Sequence, residues 1–334
     1  MPSILDASPQ STNYYKMSKD QNGCRFLQHQ LQFDPKLYVQ LWYNLNIYIN
    51  ELSLDPFGNY LVQKIIEKAP VAHLTSILKH LDIEKQSINP FGTRVMQTLI
   101  EHLNTTEQYT ILVEKLQPFL ISFSSDCHAN HIVRKLFMNV PQSFYSHFHA
   151  TLLNATPSLS MDRFGCCVLQ IALQNAKTYQ SQYLLILTKH LQALIGNAYG
   201  NYLLQFCIEG IPGVADNWST VFVRDFKNYC MDRCASNVME KCLRQCTMNR
   251  NILINEVLRH LDVLINDQYG NYVVQTSIEY SDTGYLKLFD KRINNLDTSK
   301  SNAFGKFKIH LGRNVLAKLK RKKSKVRNSN RNSK

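Results

Sequence analysis

The sequence predicts an all-α solenoid, and three observations predict it. The block Asp267-Gln-Tyr-Gly-Asn-Tyr-Val-Val-Gln275 has near copies at 197–205 and 55–63. Alignment of the whole chain on this block finds it eight times at a nearly constant step. Between the copies lie stretches whose apolar residues recur at three- and four-residue spacing, the signature of a second amphipathic helix. A period of roughly 20–50 residues marks a stacked array, in which one unit cannot bury its apolar face alone but neighbours bury a continuous core.

The fifth residue of each block serves as an anchor. The anchors are Cys24, Asn59, Thr93, Asn130, Cys166, Asn201, Ser236 and Asn271, with steps of 35, 34, 37, 36, 35, 35 and 35 residues. Four residues earlier stands an Asp or Asn every time: Asp20, Asp55, Asn89, Asp126, Asp162, Asn197, Asp232 and Asp267. Short side-chain acceptors satisfy the orphan N–H groups at a helix start, so these read as N-caps. The residue just before each anchor is Gly, or Ala at Ala129 and Ala235, which permits close backbone approach. The second and third residues after each anchor are apolar, as in Phe26 and Leu27, Val95 and Met96, or Val273 and Val274, and are expected to face the core.

The second helices show in Leu74, Ile77, Leu78 and Leu81, in Leu184, Leu187, Leu191 and Leu194, and in Ile254, Leu258 and Leu261. His80, His190 and His260 each precede a leucine of these runs, and a histidine repeated at a core edge reads as structural. Pro35, Pro70 and Pro141 fall between helices. The organisation read from the chain starts with a disordered 1–13 and a partial helix near Tyr14. Units follow at about 19–54, 55–88, 89–125, 126–161, 162–196, 197–231, 232–266 and 267–300. Gly312-Arg-Asn-Val-Leu-Ala-Lys-Leu319 is a degenerate block with Arg313 at its anchor, so 301–319 reads as a cap. The basic 320–334 reads as a flexible tail.

The 334 residues carry a net charge of +13, which favours a polyanionic partner. The charge is uneven: 318–334 holds nine Lys/Arg and no acid, and the rest of the chain is only +4. Nine cysteines without a C-x-x-C pair suit a reducing compartment. Cys230/Cys234 and Cys242/Cys246 are spaced i,i+4 and could in principle hold zinc, but core cysteine is the simpler reading, so neither metal nor cofactor is expected. Met1-Pro-Ser-Ile-Leu-Asp6 lacks the regions of a signal peptide, and no apolar run is long enough to span a membrane. Histidines are scattered or periodic, with no Gly-rich phosphate loop or paired carboxylates, so no enzyme is expected.

The chemistry lies at three positions per unit: the anchor, the next residue, and the fourth after it. In order they are Cys24/Arg25/Gln28, Asn59/Tyr60/Gln63, Thr93/Arg94/Gln97, Asn130/His131/Arg134, Cys166/Cys167/Gln170, Asn201/Tyr202/Gln205, Ser236/Asn237/Glu240 and Asn271/Tyr272/Gln275. Anchor and fourth residue share a helix face. The fourth is an amide in six of eight units, and the middle one is planar in all but Cys167. A solvated face would not restrict its chemistry in this way. Amides hydrogen-bond base edges, while aromatic rings and guanidiniums stack on base faces.

These triplets, their order and their spacing resemble the Pumilio/FBF (PUF) RNA-binding domain over about residues 14–319. Ser236-Asn-Val-Met-Glu-Lys-Cys-Leu243 stands in the seventh unit, where such proteins carry their glutamate triplet. The resemblance implies a right-handed α-α superhelix of three-helix repeats. It also implies single-stranded RNA on the concave face, antiparallel to the protein, with one base per repeat. The anchor and fourth residues would then contact base edges. Arg25, Tyr60, Arg94, His131, Tyr202, Asn237 and Tyr272 would stack. An Asn/Gln pair suits uracil in repeats two, six and eight, Glu240 suits guanine, and Gln beside a small Cys or Thr suits adenine. The implied site is 5′-UGUA-n-AUA-3′. The fifth base is written n because Arg134 replaces the usual glutamine and offers donors only. Cys167 replaces the usual stacking arginine, and Thr93 is a less common anchor. The step between anchors seven and eight is short where many members carry a partner-binding loop.

The expected function is recognition of mRNA 3′ untranslated regions, with repression or decay through recruited deadenylase machinery, by a cytoplasmic monomer. A nucleolar PUF-like protein binding structured RNA in ribosome biogenesis is the first alternative, which the Lys320-Arg-Lys-Lys323 run would suit as a nuclear signal. A purely protein-binding scaffold is the second.

Overall fold

A computed structural model describes residues 14–298 and 308–332, and no strand occurs among them. The expected disordered 1–13 and the start of the expected cap, 301–307, lie outside the described residues. The chain packs as two compact units, Met1–Leu184 and Leu185–Lys334. The first contains repeats one to four and most of the fifth, and the second contains repeats six to eight.

A typical repeat has three helices. In repeat two they are Gly58–Lys68, Val71–His80 and Ile83–Ser87. The aspartate or asparagine before each first helix caps it as the sequence predicts. Asp55 Oδ1 accepts from the N–H groups of Phe57 and Gly58, and Asp267 Oδ1 from those of Tyr269 and Gly270. The small residue before the anchor is a packing requirement. A Cβ added at Gly92 would sit 2.6 Å from the Gln86 carbonyl oxygen, and one at Gly165 would sit 2.6 Å from that of Leu159. Leu61, Val62, Ile65 and Ile66 are buried in repeat two, each contributing roughly 1.5–3 kcal/mol. Leu184 is only half-buried, but the remaining apolar residues named for the second helices face the core. His80 Nδ1–H donates to the Ser76 carbonyl at 2.8 Å, and His260 precedes the short helix Leu261–Leu264.

Repeat four departs from this plan. Its second helix shrinks to Gln142–Tyr145 and its third, Phe148–Leu159, contains Pro157.

Within each unit, first helices stack on first helices. Gly58–Lys68 packs on Gly92–His102, and Ala235–Gln245 packs on both Gly200–Gly210 and Gly270–Tyr280. A recurring ion pair crosses these steps, from the fifth residue after one anchor to the eighth after the previous one. It joins Lys135 to Glu101, Lys241 to Glu209 and Lys318 to Glu279. The last pair fixes the register of the final helix, Lys308–Asn332, with Arg313 at the anchor position as the sequence predicts.

Two expectations are corrected. Phe26 does not face the core: it is 55% exposed, and among the described residues no repeat packs over it. Residues 320–332, expected as a flexible tail, continue the last helix. Val315 and Leu319 bury its apolar side, Lys322 Nζ donates to the Glu279 carbonyl at 2.6 Å, and Lys323 pairs with Asp290 at 2.8 Å.

Candidate nucleic-acid interface

The three chemistry-bearing positions differ in exposure, and the difference repeats. From the anchor onward, repeats two, three, four, six, seven and eight run buried, exposed, buried, buried, half-buried. Repeat five differs only in a half-buried Cys167, and repeat one only in exposed Phe26. Helix geometry explains this: the anchor and the residue four later lie on one face, and the anchor sits deeper, against the preceding turn.

The asparagine anchors are more restricted than the sequence reading supposed. Asn59 Nδ2 donates to the carbonyls of Asp55 at 2.8 Å and Pro56 at 3.0 Å. Asn201 does the same with Asn197 and Ala198, and Asn271 with Asp267 and Gln268. Both N–H groups are thus used on the preceding turn, and the free asparagine donors expected for uracil are absent. Oδ1 instead accepts from the fourth-position amide, from Gln63 at 3.1 Å and from Gln205 and Gln275 at 2.9 Å. Each glutamine of repeats six and eight is left with one N–H and Oε1 to offer. That pair still matches the N3–H and a carbonyl of uracil.

The other anchors are tied differently. Cys24 Sγ donates to the Phe57 carbonyl at 3.1 Å and Thr93 Oγ1 to the His128 carbonyl at 3.0 Å, each across one repeat step. Gln28 Nε2 donates to Cys24 Sγ at 3.2 Å, and Gln97 Nε2 to the Thr93 carbonyl at 3.2 Å. Cys166 Sγ and Ser236 Oγ reach the carbonyls of Arg163 and Arg233 at 3.4 and 3.5 Å. Asn130 caps its own preceding turn through Asp126 and Cys127, but Arg134 Nε is buried without a hydrogen-bond partner. Gln170 is half-buried at the fourth position of repeat five.

Glu240 is the only acid at a fourth position. Its Oε2 accepts from Thr276 Oγ1 at 2.8 Å and from Arg244 Nη2 at 3.0 Å. None of these donors reaches Oε1, and the side chain is 20% exposed.

The middle residues form the exposed rank. Tyr202 and Tyr272 are 61% and 54% exposed, and Arg25, Tyr60, Arg94, His131 and Asn237 are exposed as well. Arg94 Nη1 donates to Tyr60 Oη at 3.2 Å across a repeat step. Packing around His131, then the cations of Arg134 and His128, hold its imidazole below the ordinary histidine pKa. The Cys166 thiol, then the Arg134 guanidinium, pull the Cys167 thiol below its usual range despite burial. A pocket of about 360 Å³ opens between the triplets of repeats one and two, lined by Cys24, Arg25, Gln28, Phe57 and Tyr60 among others. Edge groups and planar groups therefore converge on one space there.

No group of three or more His, Cys, Asp or Glu side chains suited to a metal occurs among the described residues. Cys230 and Cys234 do not share a helix, and the buried Cys242 and Cys246 sulfurs lie 3.6 Å apart. Asp216, missed by the sequence reading, supports the site from behind. Its buried carboxylate accepts from Thr247, Met248 and Asn249 N–H groups at 2.8–3.2 Å, fixing the chain after the helix that carries Glu240. Burial would raise its pKa, but the Asn249 and Thr247 donors outweigh that and lower it.

Comparisons with known proteins bear on this surface. The family model described as the Pumilio-family RNA binding repeat matches residues 13–37, 48–81, 85–116, 157–185, 190–213, 226–258 and 260–289. The irregular repeat four falls mostly outside these stretches. Pumilio homolog 12 of Arabidopsis thaliana is 31% identical over 310 residues, covering 87% of this chain and 51% of the relative. A Pumilio domain-containing protein of Schizosaccharomyces pombe is 28% identical over 328 residues, covering 96% of this chain and 47% of the relative. The chain thus spans about half the length of these curated relatives. Among solved structures, the Puf4 RNA binding domain bound to an HO endonuclease RNA 3′ UTR recognition sequence matches with a TM-score of 0.81. It is 27% identical, and the match covers 90% of this chain and 97% of that one. PUF-8 in complex with PBE-RNA matches with a TM-score of 0.83 at 23% identity, covering 96% of each chain, a likeness of fold.

Proposed function

The chain belongs to the Pumilio family, and on that premise we propose that it binds single-stranded RNA through its eight triplets, one base per repeat. The site proposed is 5′-UGUA-n-AUA-3′, carried in mRNA 3′ untranslated regions, with repeat eight at the 5′ end. Binding there regulates mRNA stability or translation, through recruitment of deadenylase machinery, in the cytoplasm. The observation that carries this reading is the repeated gradation of exposure: an exposed planar group beside a half-buried edge group. Such a pair offers a base both a face to stack on and an edge to bond.

Glu240 provides the test. A carboxylate facing uracil or adenine meets a base acceptor and is repelled, whereas guanine supplies N1–H and N2–H donors. Ser236→Asn with Glu240→Gln gives repeat seven the pair found in repeats two, six and eight. The double variant is expected to prefer 5′-UUUA over 5′-UGUA, the reverse of the parent, each preference being roughly 1–3 kcal/mol. Competition binding of both proteins to both RNAs at one salt concentration measures it. A guanine preference that survives in the variant would overturn the proposed register. Binding of scrambled RNA as tightly as the UGUA RNA would overturn sequence-specific recognition.

A further inference from the structure

The fifth residue after each anchor is not part of the triplet, yet twice it touches the edge group of the repeat before. Thr276 Oγ1 donates to Glu240 Oε2 at 2.8 Å. Thr98 Oγ1 lies 3.2 Å from Gln63 Oε1 and 3.1 Å from the Arg94 carbonyl. The other six repeats carry His29, Lys64, Lys135, Ile171, Phe206 and Lys241 there, so the contact is confined to repeats eight and three.

We infer that Thr276 is a positioning residue that sets the guanine selectivity of repeat seven by fixing the Glu240 carboxylate from the neighbouring repeat, and that Thr98 does the same more weakly for Gln63. The inference rests on the proposed role of Glu240 as the edge reader. A glutamate head on a helix surface rotates freely unless held, and guanine's N1–H and N2–H require an acceptor fixed in the plane of their edge. Thr276 is buried, so its hydroxyl has a fixed origin, and its second heavy-atom branch leaves few rotamers. Together with Arg244 it places two donors on Oε2, which defines the plane of the carboxylate and leaves Oε1 for the base. Arg244 alone holds less well, since its long side chain is exposed. Ordering the reader before RNA arrives lowers the entropy lost on binding. Thr98 has one proton for two acceptors, and Gln63 is neutral, so its hold is weaker.

The test uses Thr276→Val, which keeps the shape and removes the hydroxyl, with Thr276→Ser as rescue. Dissociation constants are measured for a UGUA-containing RNA, for the same RNA with adenine at the second base, and for one with cytosine at the third base. Melting temperatures are recorded alongside. The valine variant is expected to lose about tenfold of its guanine-over-adenine preference, the scale of one hydrogen bond to a charged group, with third-base preference unchanged. Serine is expected to restore most of it. Full guanine preference in the valine variant overturns the inference and leaves the proposed function standing. Equal weakening for all three RNAs with a lowered melting temperature also overturns it, since Thr276 would then only stabilise the stack. A parent protein indifferent to the second base overturns the reading of Glu240 itself, and the inference with it.

Discussion

Repeats two, six and eight and repeats four and five share a helix and a cap, but they differ at the edge position in repeat four and at the middle position in repeat five. In the first set the glutamine is tied to the asparagine anchor at 2.9–3.1 Å, and a tyrosine stands exposed beside it. In repeat four the arginine at the same position keeps an unpartnered, buried Nε, and its neighbour is histidine. In repeat five a cysteine occupies the stacking position. The comparison teaches that selectivity requires more than a reader of the right type. On the proposed reading, a repeat whose anchor orients the edge group would meet its base with a preset hydrogen-bond pattern. On the same reading repeat four, whose Arg134 Nε is held by no partner, discriminates little between bases.

The largest effect expected from this contrast is in stacking. Tyr202→Ala should weaken RNA binding by about 1–3 kcal/mol, while Tyr202→Phe is nearly neutral and Cys167→Ala changes binding by much less. Titration of each variant with one UGUA RNA measures it. Equal losses from alanine and phenylalanine would assign the role to the hydroxyl and break the contrast.

Next is the irregular edge. Arg134→Gln places an amide four residues from Asn130, whose Oδ1 is oriented by the same two backbone contacts as in repeat two. The variant should gain a uracil preference at the fifth base on the order of 1 kcal/mol, where the parent discriminates little. Competition among four RNAs differing only at that base is the measurement. No gained preference would mean that the tie to the anchor is not what orients the reader.

A smaller gain is expected from Cys167→Arg. It supplies the planar cation missing from repeat five and should tighten binding by about 0.5–1 kcal/mol, the range of an exposed cation–π contact. The same change at Tyr202 should give no gain. Tighter binding at both sites would show that added charge, and not the missing stack, was responsible.

Most of this organisation is legible in the sequence because helices repeat their requirements. The cap, the small residue and the apolar pair recur at fixed offsets, so eight imperfect copies define one plan. What the sequence could not show is how each polar atom is used. Spacing puts Asn59 and Gln63 on one face, but it does not reveal that both asparagine donors turn back to Asp55 and Pro56. Periodicity within one helix also says nothing of contacts between repeats, so Thr276 and the Lys241–Glu209 pair passed unnoticed. Aligning the fifth and eighth residues after each anchor would have found the latter. Residues 320–332 misled by composition: lysine, serine and asparagine suggest a linker, and the acids that pair with Lys318 and Lys323 lie far back in the chain.

The smallest expected effect is in pH. His131 stands in the stacking rank, and packing together with Arg134 and His128 holds its imidazole below the ordinary histidine pKa. It therefore takes up its proton at a lower pH than an unperturbed histidine does. On the proposed reading, bound RNA would bring phosphates and a base face near the ring, and both would favour the charged form. A bound-state pKa above that of the free protein is then expected, with affinity rising as pH falls through that interval. The gain should be about 0.5 kcal/mol, the low end of an exposed cation–π contact. His131→Gln should remove this increment, and the difference between the two pH profiles isolates it from His128. Parallel profiles would place the titrating group elsewhere. Repeat four would then lack a stacking contact as well as an oriented edge, and would serve only as a spacer between better-ordered neighbours.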